Sequence, residues 1–278
     1  MIMVSMQRIV HGALNVFSSP KCGLCDRPTH AILCPDCQTQ VLSCQYAHPQ
    51  QFWHPPLPVF AWGRYSGMLK QGIAALKYNN RPDIAELFGQ WLGEAWLQSA
   101  SAKGAVCRGR NAAGPLVASL NGPLSDPLVR QMGGQRRGQS PPHPPLVVIP
   151  VPANAAKKKR RGFNQAELIA QAFCRMTRLP LDVHRVIRIE DTVPMHGLSR
   201  QDRQRNVQGK FRIHPRFERQ LERQKNRGPK GTSSKKAPAV LLLDDIHTSG
   251  ATLNAIAHLL RQHQMSVYGA VTVAKAEL

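Results

Sequence analysis

Hydrophobic positions along the chain change period several times, and each change predicts an element. Residues 240–260 read VLLLDDIHTSGATLNAIAHLL. Val240 to Leu243 are four aliphatics in a row, the pattern of a strand buried on both faces of a parallel sheet. Asp244 and Asp245 stand where that strand should emerge. Thr248, Ser249, Gly250 and Thr252 predict a tight turn, and Leu253, Ile256, Leu259 and Leu260 recur at helical spacing. PLVVIPVP, residues 145–152, is a second short buried strand. It leads into a basic AAKKKRRGFNQ loop and then a helix with Leu168, Ile169, Ala172, Phe173 and Met176 inward. Upstream, WHPPLPVFAWGRYSG predicts a strand or two interrupted by prolines. Tyr65, Leu69, Ile73 and Leu76 share one helical face. Asp83 is the expected N-cap of the next helix, with Ile84, Leu87, Phe88, Trp91 and Leu92 inward. LDVHRVIRI (181–189) and SVYGAVTVAKA near the end alternate like strands. Strands alternating with helices imply a parallel α/β sheet.

Two stretches break this order. Residues 99–144 are rich in Gly, Ser, Ala, Pro, Arg and Gln, and residues 216–238 are polar and basic. Both are expected to be inserts without a packed core. The parts that remain are a cysteine module at 18–44, a first α/β portion at 52–98, and a main portion at 145–278.

Charge and cysteines sharpen the picture. The 278 residues carry a formal net charge of +21, which favours phosphate-rich ligands, nucleic acid, or both. No apolar run approaches the roughly 20 residues of a membrane helix. The first residues lack the continuous apolar region of a signal peptide, so the expected location is the cytoplasm, without membrane insertion. Of seven cysteines, Cys22, Cys25, Cys34 and Cys37 form C-x2-C-x8-C-x2-C. Four thiolates in two close pairs can surround one tetrahedral ion, and a closed set of four cysteines predicts structural zinc. Cys44 and Cys107 are unassigned, and Cys174 is expected in the core. Trp53, Trp62 and Tyr65 are expected mostly in the core, with base stacking as the alternative.

The strand–turn–helix unit at 240–260 is neither a P-loop nor a GxGxxG fingerprint. Backbone amides of 248–252 could cradle one phosphate, helped by the hydroxyls of Thr248, Ser249 and Thr252. Asp244 and Asp245 repel phosphate, but accept hydrogen bonds from vicinal hydroxyls or bind Mg²⁺ through water. A sugar with a terminal phosphate satisfies both halves. His247 lies in the same turn and could touch sugar or base.

LLLDDIHTSGATL resembles the phosphoribosyl pyrophosphate (PRPP) loop of type I phosphoribosyltransferases. With the cysteine module, PVP followed by RRGFNQAELIA, and TVPMHGLSRQDRQRNVQGKF, the chain resembles the ComF family over residues 20–95, 146–214 and 239–275. The resemblance implies a type I phosphoribosyltransferase-like parallel sheet flanked by helices, with a small zinc module built on the four cysteines. It implies that Asp244 and Asp245 hold the ribose of Mg²⁺-bound PRPP. Thr248, Ser249, Gly250, Ala251 and Thr252 would hold the 5′-phosphate. Arg161, Gly162, Asn164, Gln165 and Arg200 would meet the pyrophosphate, with Lys159, Arg160, Arg203 and Arg205 nearby. It further implies a role in DNA uptake and natural transformation, with single-stranded DNA and uptake-machinery proteins as partners. Catalysis and the acceptor stay open. The alternative is a nucleic-acid-handling protein that keeps the pocket for binding or regulation without turnover.

Overall fold

The computed structural model describes residues 20–99, 145–189, 209–219 and 237–277. Within them, strands β1 (Val59–Arg64), β2 (Leu146–Pro150), β5 (Ala239–His247) and β6 (Val267–Lys275) form one four-stranded sheet. Their order is β1-β6-β5-β2 and every pairing is parallel. β3 (Val186–Arg188) and β4 (Phe211–Ile213) pair antiparallel as a separate ribbon. The helices are α1 (Pro35–Leu42), α2 (Gly67–Tyr78), α3 (Asp83–Gln98), α4 (Ala155–Arg161), α5 (Gln165–Thr177) and α6 (Ala251–Gln262). The architecture is mixed α/β, a parallel sheet flanked by helices with a cysteine cluster before it.

The aliphatic runs are explained by burial on both faces. Leu241 and Leu243 join Leu146, Val148, Val271 and Val273 in a core beneath α2, α3 and α5. Val240 and Leu242 point the other way and join Ile149 and Ala270 beneath α6. Each such side chain contributes roughly 1.5–3 kcal/mol by leaving water. Leu69, Ile73 and Leu76 of α2 and Ile84, Phe88 and Leu92 of α3 are buried, as their spacing predicts. Trp62 is buried and stacks on Trp91 with ring centroids 5.7 Å apart, while Trp53 packs on Trp96 and Tyr268. These rings hold the fold together. Cys44 and Cys174 are also buried, and burial pushes the Cys174 thiol up to about 12.

Several local expectations change. Asp83 is the first residue of α3 and not its cap; Pro82 holds the cap position, and Arg81 donates to the Asp83 carboxylate at 2.6 Å. WHPPLPVFAWGRYSG contains a single strand, β1. LDVHRVIRI is strand only from Val186 to Arg188. Asp182 accepts from the His184 backbone at 3.2 Å and from Arg185 at 2.7 Å, which folds 182–185 into a turn. The KKKRR stretch is helical and not a loop. Asn154 caps α4 by accepting from the Lys157 N–H at 2.9 Å, and Gly162 ends it at φ 81°, a left-handed stop that glycine adopts without strain. Residues 215–219 are helical, so the second insert begins inside structure, where Arg185 lies 4.2 Å from the Phe217 ring centroid. Residues 100–144 and 220–236, with Cys107, and Arg200, Arg203 and Arg205 lie outside the described residues.

Candidate functional site

β5 runs past the expected exit and ends at His247. Asp244 and Asp245 are therefore strand residues, and alternation sends them to opposite faces. Asp244, on the face of Leu242, borders a small hollow with His247, Thr248, Ser249, Gly250, Ala251 and Thr252. Gly250 stands at the N-cap of α6 with φ 73°. An added Cβ there would meet the His247 ring at 2.8 Å, so both conformation and space call for glycine. The helix start leaves backbone N–H groups without intrahelical partners around the hollow. The His247 Nδ1 is buried with no hydrogen-bond partner. Burial, and then Lys275, hold its pKa below the ordinary value, so its ring is neutral at pH 7.

Asp245, on the face of Leu243, is only 4% exposed and turns toward α2. There Lys77 Nζ lies 2.8 Å from its Oδ2, in an ion pair largely shielded from water. Burial works against the Lys77 ammonium, but Asp245 and then Asp244 outweigh it and raise its pKa. Asp244 Oδ1 accepts the Asp245 backbone N–H at 2.9 Å. Burial first, and the neighbouring Asp245 second, push the Asp244 carboxyl up to about 8, with Lys77 opposing. One lysine balances one of two adjacent acids, and the second acid holds a proton at neutral pH. Lys77 is the residue of this candidate site that sequence reasoning missed. Its signal was a cation at the C-terminal end of an otherwise apolar helix face.

The loop after β2 reaches the same end of the sheet, since the Val151 N–H donates to the Leu243 carbonyl at 2.8 Å. Arg161 donates to Gln165 Oε1 at 3.0 Å and sits 5.4 Å from the Tyr78 ring centroid. Both ends of the Asn164 amide are occupied: it donates to the Val151 carbonyl and accepts from the Ala166 N–H. Asn164 thus pins the loop to α5. Gly162 faces open space. Desolvation, and then Arg161, Arg188, Lys77 and Arg160, lower the Lys157 pKa. The structure brings Arg161, Gln165, Lys77 and Asp245 to this side, and Asp244 with residues 248–252 to the hollow.

The four cysteines form a second site. The Sγ atoms of Cys22, Cys25, Cys34 and Cys37 all lie within 4.8 Å of one another, with Cys25 and Cys34 3.6 Å apart. Sulfurs held at ~2.3 Å around one tetrahedral zinc would sit about 3.8 Å apart, so the donor set fits such an ion. The Cys34 N–H donates to Cys22 Sγ at 3.3 Å, and Arg27 donates to Cys25 Sγ at 3.4 Å. Hydrogen bonds from the Arg27 backbone and then its guanidinium hold the Cys25 thiol down to about 6, while burial pushes Cys37 up. Four thiolates cannot share this space without a cation, and the group can hold a metal such as zinc.

No protein-family model matches the chain. Competence protein F of Haemophilus influenzae is 34% identical over 128 residues, 45% of this chain and 49% of that protein. DNA utilization protein YhgH of Shigella flexneri is 31% identical over 129 residues, 46% and 47% of the two chains. Its Salmonella typhi counterpart is 29% identical over 146 residues, 52% and 54%. The chain spans about half the length of the curated relatives it matches. Over that matched half it is similar to a competence protein F and to DNA utilization proteins.

Proposed function

We propose that this chain has a type I phosphoribosyltransferase-like fold and binds PRPP with Mg²⁺ at the end of β5. The hollow beside Asp244 carries this reading: hydroxyls and the start of a helix line it, next to a carboxyl that can bond sugar hydroxyls. Thr248, Ser249, Gly250, Ala251 and Thr252 hold the 5′-phosphate. Asp244 and Asp245 meet the ribose, with Lys77 fixing Asp245. Arg161, Gln165 and Arg200 attract the diphosphate, while Gly162 and Asn164 shape the loop that carries Arg161. Magnesium would neutralise the diphosphate and make it a better leaving group. The four cysteines hold zinc as a structural ion. The protein acts in the cytoplasm in DNA uptake and natural transformation, beside uptake-machinery proteins. The names of its relatives, a competence protein and a DNA utilization protein, support this role.

Titration calorimetry with PRPP and Mg²⁺ tests the reading. Binding to the wild type and at least tenfold weaker binding to Asp244→Asn are expected. No binding by the folded wild type overturns it. Pyrophosphate release from PRPP, with bases or DNA supplied, separates an enzyme from a binding protein.

The second reading is single-stranded nucleic-acid handling with the pocket used only for binding or regulation. The net charge of +21 favours it, because phosphate neutralisation drives such binding. Salt-sensitive binding of single-stranded DNA without pyrophosphate release is its expected outcome.

A further inference from the structure

Tyr78 is 68% exposed, the most exposed large hydrophobic side chain among the described residues. The described tryptophans are all buried or partly buried, so the molecule otherwise hides its large aromatics. Tyr78 ends α2, directly after Lys77, whose amine reaches Asp245. Arg161 lies over the ring, and its bond to Gln165 orients the guanidinium. Arg161 Nε is buried without a hydrogen-bond partner. With Arg161 over one face and most of the residue still in solvent, the other face of the ring is bare. Lys157 lies one turn before Arg161 on α4, Arg160 directly precedes it, and Lys77 directly precedes Tyr78 on α2. The one carboxylate paired to this basic helix among the described residues is Glu167, 3.6 Å from Lys158 on its far part.

An exposed tyrosine buries too little area to matter for folding. A flat ring backed by the guanidinium of a strongly basic helix has the chemistry that stacks a base and neutralises its phosphate. We propose that Tyr78 and Arg161 form a stacking platform for a phosphate-bearing nucleobase at the rim of the acidic site. The base lies on the open face of Tyr78, and Lys157 and Arg160 take the phosphate. Such a unit comes from a single strand or from a free mononucleotide. This deepens the nucleic-acid reading above and does not require PRPP to bind.

Fluorescence anisotropy with a labelled oligo-dT of about 12 nucleotides tests the platform. Tyr78→Leu is expected to weaken binding roughly tenfold, and Tyr78→Trp to retain it. An abasic strand of equal length should bind both Tyr78→Leu and wild type alike. Competition by thymidine monophosphate, lost in Tyr78→Leu, assigns the site to mononucleotides as well. Its absence, with the strand effect intact, assigns the site to strands. Equal strand binding by wild type and Tyr78→Leu, or no binding of either probe by wild type, overturns the proposal. An unchanged melting temperature checks that Tyr78→Leu folds. PRPP calorimetry on the same variant should match wild type, and failure of PRPP to bind wild type would sink the transferase-like reading alone.

Discussion

The cysteine cluster and the acidic pair both crowd potential anions into a small space, and they differ in what cancels the charge. Around the cysteines, the hydrogen-bonding cation is Arg27, which is exposed and also serves Asp36. It can support one thiolate and not four. Around the acids, Lys77 is carried in by α2 and sits on Asp245. The first site can be balanced by a metal ion held among its four sulfurs; the second is balanced before any ligand arrives. Stability and ligand binding should therefore be coupled at the cysteines and separable at the acids.

Removing the metal should have the largest effect. Cys37→Ser, or a strong chelator, should cost the module on the order of 10 kcal/mol of metal-linked stability. Metal content by mass spectrometry and protease cleavage within 20–44 report it. A cluster that stays folded with no metal bound would break the comparison.

Lys77→Met should come next. It strands the Asp245 carboxylate in a nearly dry site, and breaking such a pair costs about 3–5 kcal/mol. Urea denaturation measures this, and the double variant Lys77→Met, Asp245→Asn should recover most of it. No recovery would mean that Lys77 acts through packing alone.

A further effect is the pH dependence of Asp244. Its carboxyl rises from the ordinary 3.8 to about 8 on folding. The folded state therefore keeps a proton that the unfolded chain loses, and this contribution falls as pH rises from about 4 to 8. Melting temperatures across that window should decline less steeply in Asp244→Asn than in wild type.

The parts legible in the sequence were those with local causes. The β5–turn–α6 unit showed itself because buried parallel strands are continuously aliphatic and the next helix repeats at a different period. The cysteine spacing directly encodes a closed ligand set. Lys77 was hidden because its partner is remote in sequence, and a lysine at a helix end normally points to water. The basic helix α4 was hidden because no residue of it is buried, so it has no apolar stripe. Its signals were Asn154 before it and Gly162 after it. The split of Asp244 from Asp245 depended on how far β5 extends, which adjacent letters do not disclose.

The strand order has a consequence for synthesis on the ribosome. β6 lies between β1 and β5, so the two innermost strands come after every other described strand of the sheet. A nascent chain holding only β1 and β2 has two ribbons with no shared neighbour. Their apolar faces must wait, exposed, until β5 and β6 emerge. Premature termination just before residue 267 would leave β1 with no strand to pair, making such fragments targets for chaperones or proteases.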